Sequence, residues 1–169
     1  MFANLPPVTR ALLVANVLAF GLQAMAGELA MLDFMLWPLG RFGLGMAGGL
    51  PVTAGFEPWQ LVSYGFLHGG LAHLAFNMLA LVMFGAGIEH ALGPRRFALY
   101  YFTTVIGAGL VQLLVATLAV QQGEPPYPTV GASGGVFGLL LAYGLLFPNH
   151  RVMLLIPPIP MRAITLVVV

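Results

Sequence analysis

The sequence predicts an all-α, polytopic transmembrane helical bundle with four complete spans and a partial fifth. Three observations carry this. Of 169 residues, 60% are apolar and only 7% charged, whereas soluble domains carry about 25% charged residues. Mean hydropathy is +0.96, which points to lipid as the main solvent and excludes disorder. Long uncharged stretches alternate with short segments holding the few charges, at a length that allows one membrane domain over residues 1–169. A net charge of +1 gives no electrostatic case for nucleic acid. The absence of Cys excludes a disulfide framework, a thiolate metal site and a thiol nucleophile.

A spanning helix needs about 20 mostly apolar residues. Stretches free of Asp, Glu, Lys and Arg run over 11–27, 58–88, 97–123 and 125–150. They place spans at about 10–30, 68–90, 96–119 and 131–147. A partial fifth occupies 160–169, and its uncharged part, Ala163–Val169, covers about 10 Å, a third of a bilayer. The expectation is therefore a piece of a longer protein. Segment 28–60 differs: it holds Glu28, Asp33, Arg41 and Glu57, five glycines from Gly43 to Gly55, and Trp37 and Trp59. Tryptophan favours the membrane–water interface, so an interfacial, partly helical loop over 31–60 is expected. Segment 121–130 carries Pro125, Pro126 and Pro128 and should run extended into the fourth span.

Alternating sides put Arg10, Arg95, Arg96, Arg151 and Arg162 on one face and Arg41 alone on the other. That bias makes the first face, and the N-terminus, cytoplasmic. A rival for the start is a signal peptide: Arg10, an apolar run, then Ala24-Met25-Ala26. The later spans balance well if the first is retained.

Polar groups inside spans are functional candidates. Gly131-Ala132-Ser133-Gly134-Gly135-Val136-Phe137-Gly138 follows the proline segment, so Ser133 sits in the first turn of a helix. Free N–H groups and the positive end of the dipole gather there, an environment suited to an oxyanion. The same glycines form G-x-x-x-G pairs that pack helices, and Ser133 could merely cap. His73 and Asn77 share a helix face at i and i+4, with His68 near that helix's start. They could form an oxyanion site or simply tie helices together. A metal site is disfavoured, because His73 has no second ligand at helical spacing. Glu89, with His90, Arg95 and Arg96 beyond it, reads as a tie between helix ends. His150 and Arg151 read likewise. Gln112 reads as a hydrogen bond to a neighbouring helix. His73, Asn77 and Ser133 should lie at similar depth, in the outer half of the bilayer.

Together these motifs resemble the rhomboid family of intramembrane serine proteases. Gly131-Ala132-Ser133-Gly134 is similar to its G-x-S-G. His68, His73 and Asn77 match its H-x-x-x-x-H-x-x-x-N. The long loop before that helix, and Gly85 with Glu89 at its far end, also fit. The resemblance implies Ser133 as nucleophile and an oxyanion hole of His73, Asn77 and the Ser133 N–H. It implies support from His68, Gly131, Gly134 and Glu89, with Gly131 admitting a sixth helix. No cofactor or metal is implied. Implied partners are the lipid bilayer and transmembrane protein substrates, cut in or near their membrane segments. The implied location is a bacterial-type inner or plasma membrane. The family's base is a His in an A-H-x-x-G context, and no such motif occurs here; the base is expected outside this sequence. The rival readings are a non-catalytic rhomboid-like binder of transmembrane helices and half of a transporter. Inverted repeats would support the transporter, and none is visible.

Overall fold

A computed structural model describes residues 5–153 and 160–168 of the chain. Helix α1 spans Pro7–Ala26. Pro7 takes the first helical position, where a missing N–H costs nothing. Gly27 ends the helix at φ 83°. A short helix α2, Glu28–Met31, and a 3₁₀ turn, Leu32–Phe34, follow. Strands β1, Arg41–Ala47, and β2, Leu50–Gly55, then pair antiparallel. A short helix α3, Gln60–Ser63, leads through a 3₁₀ turn, Tyr64–Phe66, to the second long helix.

That helix runs Leu71–Leu92. It comprises α4, Leu71–Ala80, a π-helical turn, Leu81–Gly85, and α5, Ala86–Leu92. Gly93, at φ 79°, turns the chain directly into α6, Pro94–Gln121. Helix α7 is Ser133–Leu146. Strands β3, Arg151–Met153, and β4, Pro160–Arg162, pair antiparallel. Helix α8, Ala163–Val168, follows.

Helix α1, the Leu71–Leu92 helix and α6, at 20, 22 and 28 residues, are long and apolar enough to cross a membrane. Helix α7 has 14 residues, about 21 Å, less than the hydrocarbon thickness. The proline-rich segment delays its start, and Pro148 stops it. Large apolar side chains face outward on three of these helices. They include Leu18 and Leu22 on α1, Val111 and Leu114 on α6, and Phe137 and Leu145 on α7. A soluble monomer does not expose such a continuous apolar surface. The molecule is a multi-pass integral membrane protein.

Helix α7 packs against α6 through its glycines. A Cβ on Gly134 would stand 2.5 Å from Ala108 Cβ, and one on Gly138 2.5 Å from Thr104 Cγ2. One on Gly135 would meet the Tyr101 ring at 2.6 Å. The packing role of the glycine pairs therefore holds, and it operates between α7 and α6. Below this contact lies a core of Leu74, Met78, Leu81, Ile88, Phe97 and Leu139.

Segment 28–60 is partly helical, as expected, through α2 and the Leu32–Phe34 turn, but it also contains the β1–β2 hairpin, which the sequence reading did not foresee. Gly48 and Gly49, at φ 56° and 83°, form a two-residue turn with both residues left-handed, the geometry that matches strand twist. The glycine-rich strands lack the apolar alternation that marks a strand in sequence. The two tryptophans also divide. Trp59 is exposed, but Trp37 is only 3% exposed, and its Nε1–H donates to Leu32 O at 2.9 Å. Buried Gln60 is the hub of this segment: its Oε1 accepts Trp37 N–H, and its Nε2 donates to Gly55 O and Asp33 O.

Segment 124–130 is extended, and Thr129 bridges to Leu36 through two backbone bonds, of 3.0 and 2.8 Å. Gln112 donates to Thr129 Oγ1 at 3.1 Å. The partner expected for Gln112 was a helix. The extended segment wins because it lies across α6 and carries a hydroxyl that would otherwise face apolar surroundings.

Candidate active site

Ser133 is the first residue of α7 and is half-buried. Its position follows from Gly131, which turns the chain at φ 134° and anchors it by donating its N–H to Tyr64 O at 2.9 Å. The first intrahelical bond of α7 runs from Val136 N–H to Ala132 O. The N–H groups of Ser133, Gly134 and Gly135 precede it and are the free donors of a helix start.

His73 lies across Gly131 from Ser133. A methyl group on Gly131 would stand 2.9 Å from His73 Nε2 and 3.6 Å from Ser133 Oγ. The imidazole and the hydroxyl thus flank one spot, and only glycine leaves it open. On the far side of the ring, Gly69 N–H donates to His73 Nδ1 at 3.3 Å. A neutral imidazole that accepts at Nδ1 carries its proton on Nε2. The nitrogen facing Gly131 and Ser133 is therefore a donor.

Asn77 is one turn along α4 and 6% exposed. Its Nδ2 donates one N–H to His73 O at 2.9 Å, which leaves a second amide N–H. The shared face predicted for His73 and Asn77 is present, and the amide is folded back onto the His73 backbone.

His68 precedes α4, whose N-cap is Gly70. Its ring is fully buried and meets the His73 ring edge-on, with centroids 5.2 Å apart. Neither ring nitrogen has a hydrogen-bond partner among the described residues. Burial first, and the His73 ring second, push its pKa down to about 4, so His68 is neutral near pH 7. It borders a cleft of about 300 Å³ shared with Gln23, Glu28, Met35 and Gly69.

The remaining candidates lie elsewhere. Gly134 faces Ala108 and the Tyr64 hydroxyl. Glu89 is at the opposite end of the bundle, 2% exposed, and caps α1. It accepts from Val8 N–H at 2.9 Å and from both Thr9 N–H and Thr9 Oγ1 at 2.7 Å. That geometry suits a carboxylate at a helix start. His90 bonds Ala86 O, and His150 contacts Tyr143 OH and stacks on Phe147. Among the described residues no three metal-binding side chains gather.

Sequence reading missed two residues here. Tyr64 holds Gly131 with its carbonyl and Val105 O with its hydroxyl. Gln23 holds the His68 backbone from α1. The available signal for Gln23 was an amide in an otherwise apolar helix end.

A match to the family described as Rhomboid domain covers residues 55–169. Over 99 residues the chain is 37% identical to Rhomboid protease GluP of Bacillus subtilis, a stretch that is 59% of this chain and 18% of that protein. It is 38% identical over 96 residues to RHOMBOID-like protein 4 of Arabidopsis thaliana, covering 55% and 22%. It is 34% identical over 104 residues to Rhomboid protein 1, mitochondrial, of Saccharomyces cerevisiae, covering 60% and 29%. The chain thus spans less than a third of the length of these curated relatives.

Proposed function

We propose, from the premise that this chain belongs to the rhomboid family, that Ser133 is the nucleophile of an intramembrane serine protease. The observation that carries this is the Ser133–Gly131–His73 arrangement: a hydroxyl at a helix start, beside an imidazole whose facing nitrogen is a donor. Ser133 Oγ attacks a substrate peptide carbonyl carbon and forms a tetrahedral intermediate. The oxygen, now anionic, is held by His73 Nε2–H, the second Asn77 N–H and the Ser133 N–H. Collapse breaks the C–N bond and leaves an acyl-enzyme, with the proton passed to the departing amine. Water then releases the second product.

His73 is not the base in this reading, because its facing nitrogen already carries a proton. His90 and His150 are held by groups away from Ser133. The base is a group other than His73, His90 and His150. His68 and Gly131 support the site, Gly134 supports the α7–α6 contact, and Glu89 fixes α1. The substrates are membrane-anchored proteins that reach Ser133 at membrane depth, since α7 is too short to span the hydrocarbon. The side where α1 begins is cytoplasmic, by the arginine bias, in a bacterial-type inner or plasma membrane.

In the full-length protein, a fluorophosphonate should modify Ser133, and Ser133→Ala should abolish cleavage of a transmembrane reporter. Undiminished cleavage by that variant would remove Ser133 from the chemistry, and a wild type that neither cleaves the reporter nor takes the label would leave the non-catalytic, helix-binding reading.

A further inference from the structure

Gln23 lies in the last turns of α1, on a different helix from every residue assigned to the chemistry. Its side-chain amide makes two bonds to the backbone at residue 68. Nε2 donates to His68 O at 2.7 Å, and Oε1 accepts His68 N–H at 3.1 Å. The His68 carbonyl and the Gly69 N–H belong to one peptide unit. In a trans peptide they point in opposite directions. Gln23 therefore holds one side of that peptide, while its other side donates to His73 Nδ1 at 3.3 Å. Donation to the carbonyl polarises the peptide and strengthens its N–H as a donor.

From this continuous chain we infer that Gln23 is a positioning residue for the oxyanion donor. It orients the 68–69 peptide, the peptide fixes the His73 proton on Nε2, and Nε2–H faces the Gly131–Ser133 site. The inference rests on the protease reading for its kinetic consequence, but the tautomer is independent of it. Gly69 and Gly70 directly follow His68 and would leave this turn free to reorient without a clamp. The second Gln23 bond, from His68 N–H, prevents the amide from swinging away.

The test uses the full-length protein in micelles, labelled with ¹⁵N-histidine, with His73 assigned by comparison with His73→Gln. The wild type should show a protonated Nε2 and a bare, hydrogen-bonded Nδ1. Gln23→Leu, which keeps the volume and loses both bonds, should give a mixture of tautomers. It should also lower kcat about 10- to 100-fold with KM little changed, short of the 10² to 10³ for losing a donor outright. Gln23→Glu keeps the acceptor for His68 N–H but cannot donate to His68 O, and should behave like Gln23→Leu. A wild-type His73 with its proton on Nδ1 overturns the inference, whatever the variants do. So does a folded Gln23→Leu with unchanged tautomer and kcat, even if its Tm falls, since Gln23 would then be only structural. Cleavage that survives Ser133→Ala, with the tautomer as stated, removes the Ser133-nucleophile reading and leaves the Gln23 clamp standing.

Discussion

The two ends of the bundle treat buried polar groups in opposite ways. Where α1 starts, the Glu89 carboxylate accepts three hydrogen bonds from Val8 and Thr9, and both of its oxygens are engaged. Where α1 finishes, His73 Nε2 and Ser133 Oγ flank a spot kept empty by Gly131. The fully buried His68 ring has no well-aligned hydrogen-bond partner among the described residues. A closed network holds helices together, because each member would be costly unpaired. An open one keeps donors available for a charge that develops only during reaction. Both ends contain a glycine that admits a polar neighbour. Gly85 admits Thr9 Oγ1, 3.5 Å from where a Cβ would sit, whereas Gly131 has His73 at 2.7 Å and a left-handed φ besides. The Gly85–Thr9 contact is ordinary packing, and the Gly131–His73 contact has no tolerance.

Substitutions should therefore divide by end, activity being lost at one and stability at the other. Among substitutions that leave Ser133 in place, the largest effect should come from Gly131→Ala. Its methyl would displace the His73 ring and strain the backbone, so kcat should fall by about 10³-fold, the upper range for losing an oxyanion donor. Reporter cleavage in micelles measures it; near-wild-type turnover would mean that the ring does not contribute. Asn77→Ala should lower kcat by about 10² with KM little changed. A raised KM at constant kcat would instead place Asn77 in resting substrate binding.

The closed end sharpens the contrast. Glu89→Ala removes three bonds to a charged group and should cost about 3 kcal/mol of stability, read as a lower Tm. The kcat of the protein that remains folded should be unchanged. If turnover falls with no loss of Tm, the two ends are not separable in this way.

The smallest effect concerns acid. His68 is held near pKa 4 when folded and titrates near 6.5 when unfolded. Between those values the unfolded chain binds the extra proton, so stability rises with pH across the window. The contribution is complete above about pH 6.5 and is lost progressively as pH falls toward 4. Tm should therefore drop from pH 7 to pH 5, and His68→Gln should flatten that slope. An equal slope in both proteins would assign the acid sensitivity to other groups.

Much of the site was legible because its signals are local. Ser133 opens a helix because three prolines precede it and glycines surround it, and no distant contact is needed for that. His73 and Asn77 share a face because helical periodicity puts them there. The Glu89 tie was legible as a role, but its partners, Val8 and Thr9, were not. The β1–β2 hairpin was hidden because its strands are glycine-rich and largely exposed, so no buried face stamps an alternation on the sequence. Trp37 is buried by Leu32, Gln60 and Ala54, a cluster assembled from both sides of that hairpin.

The sequence by itself determined the solvent, the long helices, the breaks between them and the place of Ser133 in the first turn of α7. These follow from hydrophobic length and from proline and glycine, which act within a few residues. Tertiary structure alone decided which polar groups meet. Gln23 reaches residue 68, Glu89 reaches Thr9 and Leu36 pairs with Thr129, each across 45 to 93 positions. It also decided which nitrogen of His73 carries the proton, since that depends on a peptide held from another helix. The physical reason is that a buried polar group takes the nearest partner that packing presents, and packing sums contacts over the whole chain.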